Sequence, residues 1–345
     1  MKSVIDRRSL IAGAAGLFAA PAIARGQAAG GVALVIGNSK YQWEAALPNV
    51  RRDAPDIAKR LQGLGLRTEL VQDAGRDAML AAIDKFETSA RGAPLATFYF
   101  AGHGVSWDYD SYLVPVDMDL SDAKVVRQLV NTSSLRDRLK EAQHSLMVFD
   151  SCRNNPADGW RQLEATRTAT LRNPVKAAAA TPANSLMLFS TAPGHAALDG
   201  PAGQNSPFAA ALLRQLGGAV DLSTLPVNLR RTLIAETQGR QLVFDLNGYR
   251  QPFTLGSGAP AGMALPAGAR ELPNAYAFAR DNGIPLLPGL VAVPAANPQH
   301  VNKIGAFKFE GRADNNRFPE ILVVMAIDDS GAGYAVMSAN NPVLP

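Results

Sequence analysis

Leu146-Met147-Val148-Phe149-Asp150-Ser151-Cys152-Arg153-Asn154-Asn155-Pro156 is the stretch on which the rest of the chain turns. Its apolar run reads as a buried strand, and a polar loop opens at Asp150. Cys152, the only cysteine in the chain, sits just past that strand. A second stretch has the same grammar: Ala96-Thr97-Phe98-Tyr99-Phe100-Ala101-Gly102-His103-Gly104. There an apolar strand ends in a histidine flanked by two glycines. Two strands, each delivering a reactive side chain at its C-terminal end, are what a cysteine–histidine catalytic pair needs.

Outward from these, the same alternation continues. Gly31 to Asn38 reads as a first buried strand ending in a glycine turn. Asp53 to Leu64 has helical spacing, with Ile57, Leu61 and Leu64 on one side, and Gly65 stops it. Arg67 to Val71 is a second strand, and Asp77 to Ala90 a second helix with Met79, Ile83 and Phe86 in phase. Ser134 to Asp137 reads as a capping box that opens a helix to about Ala142. Ser185 to Ser190 is a further strand, followed by helices over Ser206–Leu216 and Thr224–Gln238. Alternating strands and helices predict an α/β fold, a mainly parallel central sheet flanked by helices. Ligands of such sheets bind beyond the carboxyl ends of the strands, where Cys152 and His103 both lie.

The two stretches resemble the caspase-like cysteine peptidases (peptidase C14), and more closely their bacterial metacaspase branch. The family's strand-ending His-Gly is here His103-Gly104, and its Asp-x-Cys is Asp150-Ser151-Cys152. The resemblance runs from about Val32 to about Phe253. It implies the caspase-hemoglobinase fold and a cysteine endopeptidase working through a thioester. Cys152 would be the nucleophile and His103 the base, with the backbone N–H groups of Gly104 and Cys152 as oxyanion hole. A free thiol, with a pKa near 8.5, is mostly protonated at neutral pH, so it needs such a base.

Specificity follows from the same comparison. Metacaspases cut after arginine or lysine and carry acidic residues in the pocket for that side chain. Asp150 matches one acidic position, and Asp53 matches the second more loosely. Phe189-Ser190-Thr191-Ala192-Pro193-Gly194 resembles the caspase segment leading to a pocket arginine, and gap-free counting puts Asp199 at that position. Carboxylates there would pair with a guanidinium. The expected partners are therefore protein or peptide substrates with basic residues. The stretch from Asn154 to Asn184 reads as a long linker carrying Arg161, Arg167, Arg172 and Lys176, candidates for self-processing.

Other features bound the reading. The first 28 residues read as an export signal: Asp6-Arg7-Arg8-Ser9-Leu10-Ile11 resembles the twin-arginine motif, and Ala22-Ile23-Ala24 fits a cleavage site. The alternative is a retained membrane anchor. Cleavage implies a periplasmic location with no membrane attachment afterwards, where a lone cysteine has no internal disulfide partner. Net charge falls from +4 to about +2 without residues 1–24, too weak and scattered for nucleic-acid binding.

Five aspartates, Asp108, Asp110, Asp117, Asp119 and Asp122, fall in one loop from Trp107 to Asp122. They read as solvated side chains, or by resemblance as a weak calcium-activation site, though the spacing matches no EF-hand loop. The histidines and the cysteine show no metal-ligand spacing, so no metal and no cofactor is expected. His144 and His300 read as surface residues, and His195 as a loop residue near the site. Residues 30–255 are expected to form the peptidase domain and 256–270 a linker. Residues 271–345 are expected to form a small α+β or β-rich appendage of unknown role. Monomeric organisation is favoured. A rival reading keeps the fold but makes the protein a non-catalytic scaffold with the appendage as its interaction module. A third keeps the chemistry and changes the substrate.

Overall fold

The computed structural model describes residues 30–107, 110–121, 123–153, 181–193, 195–257, 265–284, 286, 288–295, 303–313, 316–327 and 333–339. The expected export signal, the four self-processing candidates, His300, Asp108 and Asp122 lie outside the described residues.

Six strands form the central sheet: β1 (Val32–Gly37), β2 (Arg67–Gln72), β3 (Ala96–Ala101), β7 (Ser145–Asp150), β8 (Ser185–Phe189) and β10 (Phe244–Asn247). Their order is β10-β8-β7-β3-β1-β2, parallel throughout except for β10 at the edge. Both faces are covered, so the strands read as continuous apolar runs rather than alternating ones. The period of two still sorts the side chains. Val35, Tyr99, Val148 and Leu188 face helices α1 (Val50–Gly63), α4 (Pro207–Gln215) and α5 (Leu225–Glu236). Leu34, Phe98, Met147 and Met187 face α2 (Arg76–Ala90) and α3 (Thr132–Arg138).

Helix α1 shows why the local sequence folds this way. Val50, Ala54, Ile57, Ala58 and Leu61 form its buried stripe. Its end is a Schellman motif: Leu66 N–H donates to Leu61 O and Gly65 N–H to Gln62 O, with Gly65 at φ 89°. Gly37 lets the helix sit close on β1, since a Cβ there would lie 2.4 Å from Ala54 Cβ.

Three expectations need correction. The third helix starts at Thr132, and its cap is Asn131, whose side chain accepts from Ser134 N–H at 3.0 Å. The Ser134 capping box does not exist; an asparagine three residues earlier takes the same role. The aspartate-rich segment is not a plain loop. Gly104–Trp107 (β4), Asp110–Leu113 (β5) and Val130–Asn131 (β6) pair as a small antiparallel sheet. Asp110 accepts from Ser133 Oγ, and Asp117 from Arg76 N–H. Among the described residues no group of three or more His, Cys, Asp or Glu side chains could hold a metal ion. Finally, His144 is half-buried rather than a free surface side chain. Its ring stacks on Phe253 at 3.8 Å, and burial lowers its pKa.

Beyond the central sheet, a meander of Gly305–Ala313, Asn316–Ile327 and Gly333–Ala339 and the helix Pro273–Asp281 build the appendage. Its core is continuous with Ile234 of α5. Arg230 of α5 is fully buried; its guanidinium donates to Pro288 O of the appendage and to Val243 O and Asp245 of the main domain. Among the described residues no helix is long and apolar enough to cross a membrane.

Candidate active site

Strand register fixes the relation of the two reactive residues. In the β3–β7 pair, Ala101 lies opposite Asp150. His103 and Cys152 are each two residues further on, so both emerge at the same height on neighbouring strands. They line one small cavity of about 70 Å³ together with Leu47, Asp53, Asp150 and Asp199. Gly104 packs against the Cys152 loop: a Cβ there would lie 2.5 Å from Ser151 Oγ and 2.7 Å from Cys152 O. The residue type is dictated by that approach.

The imidazole is held by groups that no residue pattern announced. His103 Nε2 lies 2.7 Å from Ala45 O. A carbonyl oxygen only accepts, so Nε2 carries a proton, and in the neutral ring the lone pair is then on Nδ1. That tautomer is the one a general base needs. The Tyr41 ring packs against the imidazole at 4.5 Å between centroids.

Cys152 is partly exposed, with Sγ 4.0 Å from Ala197 O. Burial pushes its thiol pKa up; the Ala197 hydrogen bond opposes this, and Asp150 and Asp199 add to it. The next residue, Arg153, anchors the loop. Its guanidinium lies over Phe189 at 4.0 Å, Nε donates to Ser111 Oγ at 3.0 Å, and its N–H donates to His195 O at 2.9 Å. Burial lowers its pKa to about 10. His195 itself is exposed and does not line the cavity.

All three aspartates singled out in the sequence converge on this cavity, from three separate elements. Asp53 comes from the first turn of α1, Asp150 from the end of β7, and Asp199 from the loop before α4. Asp53 is 1% exposed and Asp150 7%. Asp53 Oδ1 accepts from Asn205 Nδ2 at 2.9 Å and Ser206 N–H at 3.0 Å, while Oδ2 is buried without a partner. Ser206 Oγ donates to Asp150 Oδ2 at 2.8 Å and accepts from Ala209 N–H, which makes it the N-cap of α4. The positive end of α4 therefore faces the two buried carboxylates.

That compensation is incomplete. Burial, and next the charge of Asp150, raises Asp53 to about 7 against the Asn205 and Ser206 hydrogen bonds. Burial raises Asp150 to about 6 against the Ser206 hydroxyl. Asp199, less buried, is also raised by burial, with His103 opposing. Among the described residues no lysine or arginine lines the cavity. The arrangement is a thiol and an imidazole beside a negatively charged hollow.

Asn49, another residue without a sequence signal, fixes the Asp199 loop. Its Nδ2 donates to Asp199 O at 2.7 Å and Pro201 O at 3.0 Å, and its Oδ1 accepts from Gly203 N–H at 3.0 Å.

Comparison with known proteins agrees with this architecture. Residues 30–248 match the peptidase C14 family, described as the caspase domain. Among solved structures, the crystal structure of caspase-1 from Spodoptera frugiperda aligns at 14% identity and TM-score 0.47, over 67% of this chain and 92% of that one. No curated protein matches the sequence. The family match spans the whole central sheet with both strand-end residues, and on it the chain belongs to the caspase-domain family of cysteine peptidases.

Proposed function

We propose that this protein is an exported cysteine endopeptidase of metacaspase type that cleaves after arginine or lysine through Cys152 and His103. The observation that carries the reading is the cavity in which Cys152, His103, Asp53, Asp150 and Asp199 meet, with no cationic side chain lining it among the described residues.

His103 Nδ1 takes the proton from Cys152 Sγ, and the sulfur attacks the scissile carbonyl carbon. The N–H groups of Gly104 and Cys152 receive the oxyanion, and such donors are typically worth about 3 kcal/mol each in the transition state. The tetrahedral intermediate collapses to a thioester as the imidazolium returns the proton to the leaving amine. Water then adds by the reverse sequence. Ala45 O accepts a hydrogen bond from Nε2–H throughout and steadies the imidazolium. A P1 guanidinium or ammonium would fill the hollow beside Asp53 Oδ2, Asp150 and Asp199, giving the unpartnered Asp53 oxygen and its neighbours charge-assisted pairs.

The test is turnover of peptides ending in Arg, Lys, Asp or Asn, with and without calcium, beside Cys152→Ala. Turnover of Arg and Lys alone, lost in the variant, supports the proposal. Turnover at Asp refutes the acidic pocket. No turnover with any peptide leaves the scaffold reading.

A further inference from the structure

We propose that Tyr41 is a positioning residue for the catalytic imidazole, acting through its hydroxyl on the backbone of His103. This rests on the assignment of Cys152 and His103 above.

The hydroxyl is a relay between two segments. It accepts from His103 N–H at 2.7 Å and donates to Val114 O at 3.3 Å. Val114 N–H in turn donates to His103 O at 3.0 Å. Both backbone polar groups of His103 are thereby engaged, one through a side chain and one directly. Burial raises the Tyr41 pKa well above its ordinary value, so the hydroxyl remains both donor and acceptor throughout the working range. The fit is close: a Cβ on Gly102 would lie 2.5 Å from Tyr41 Oη.

The segment that carries Tyr41 is itself pinned. Ser39 and Lys40 N–H both donate to Asp73 Oδ1, at 2.8 and 2.9 Å. Gln42 N–H donates to Val116 O, and Leu47 N–H to Ser39 O. The same loop supplies Ala45 O to Nε2. One short loop therefore holds His103 at its backbone, its ring face and its far nitrogen. Removing the hydroxyl frees the backbone end of that cradle and leaves a buried N–H without a partner. The ring contact, the substrate pocket and the Asp199 loop are untouched, so the damage should fall on proton transfer rather than binding.

Because Cys152 is the chain's only cysteine, iodoacetamide labelling reads that thiol alone. The experiment measures kcat and KM on an arginine peptide, and the pH profile of labelling from pH 5 to 9, for wild type, Tyr41→Phe, His103→Ala and Cys152→Ala. Tyr41→Phe is expected to lose about 10- to 100-fold in kcat with KM within about twofold, and its labelling profile should move toward that of His103→Ala. Wild-type kcat or a wild-type labelling profile in Tyr41→Phe overturns the inference. Turnover retained by His103→Ala or Cys152→Ala overturns instead the assignment on which it rests. Should Tyr41→Phe fail to fold, Asp73→Gly, which suits the φ of 51° there and removes the acceptor that pins Ser39 and Lys40 in the Tyr41 loop, carries the same two readouts and the same criteria.

Discussion

Asp53→Asn should make the protein more stable and less active, and the stability gain should depend on pH. A raised carboxylate pKa means that the native state holds the proton more tightly than the unfolded chain does. Below the ordinary value of 3.8 both states are protonated and Asp53 contributes nothing. As pH rises from there to about 7, the unfolded chain releases its proton and the native state does not, so stability falls; above about 7 the cost is fully present. A pKa moved from 3.8 to about 7 corresponds to about 4 kcal/mol, and because Asp150 shares the interaction, the gain expected from the single substitution is about 2–4 kcal/mol.

Asparagine suits the site. Its Oδ1 keeps the bonds from Asn205 and Ser206, and its amide replaces the oxygen that has no partner. Thermal unfolding of wild type and variant at pH 8 and pH 4.5 tests this. The variant should melt about 5–10 °C higher at pH 8, with most of that difference gone at pH 4.5. Its kcat/KM on arginine peptides should fall at least about 30-fold, the cost of removing one partner from a buried charge pair. A variant less stable than wild type at pH 8, or a gain equal at both pH values, would refute the electrostatic account.

Three further substitutions probe the surroundings. Gly104→Ala drives a Cβ into Ser151 Oγ and Cys152 O, so kcat/KM should fall at least about 100-fold and the melting temperature should fall with it. Asn49→Ala releases the turn from Asp199 to Gly203 and should raise KM for arginine peptides about tenfold with a smaller change in kcat, since an oriented carboxylate is lost from binding. Arg230→Ala strands Asp245 and two carbonyls in the interior; equilibrium unfolding should show a loss of about 3–5 kcal/mol, and a loss under 1 kcal/mol would contradict the buried pairing.

The reactive pair was legible in the sequence because side-chain chemistry at strand ends is written in residue identity, whereas the acidic hollow was reached through the resemblance to metacaspases and caspases. Cys152, His103, Asp150, Asp53 and Asp199 are unusual residues in telling places, and the structure brings all five together. What escaped notice acts through the backbone or through common amides. Ala45 serves by its carbonyl, which every residue owns. Tyr41, Asn49 and Asn205 serve over separations of 62 to 154 residues, which no local period encodes. Elements with a strong apolar repeat, such as α1 and α2, fell within a few residues of expectation. The helix at Thr132 was misplaced because Asn131 and Ser134 are both plausible caps, and only the tertiary path decides between them. His144 was misjudged because its polar neighbours in sequence are not its neighbours in space; Tyr249 and Phe253 are.

The carboxylates and the thiol pull against each other, and this gives the site its logic. Asp150 and Asp199 make a thiolate at Cys152 more costly, on top of its burial. A hollow without a cation therefore keeps the sulfur protonated and comparatively inert toward peptides that bring no charge. On the proposed reading, a P1 guanidinium changes two things at once. It supplies the partner that Asp53 Oδ2 lacks, and its positive charge offsets the field that opposes deprotonation of the neighbouring sulfur. Binding energy from the P1 side chain is then expressed partly in the reactivity of the nucleophile, which raises kcat and not only affinity. A neutral isostere of arginine that fitted the hollow equally well would gain none of this second effect. Selectivity for basic residues would accordingly be larger in kcat/KM than in ground-state binding, and that disparity distinguishes an electrostatically coupled pocket from one that merely recognises shape.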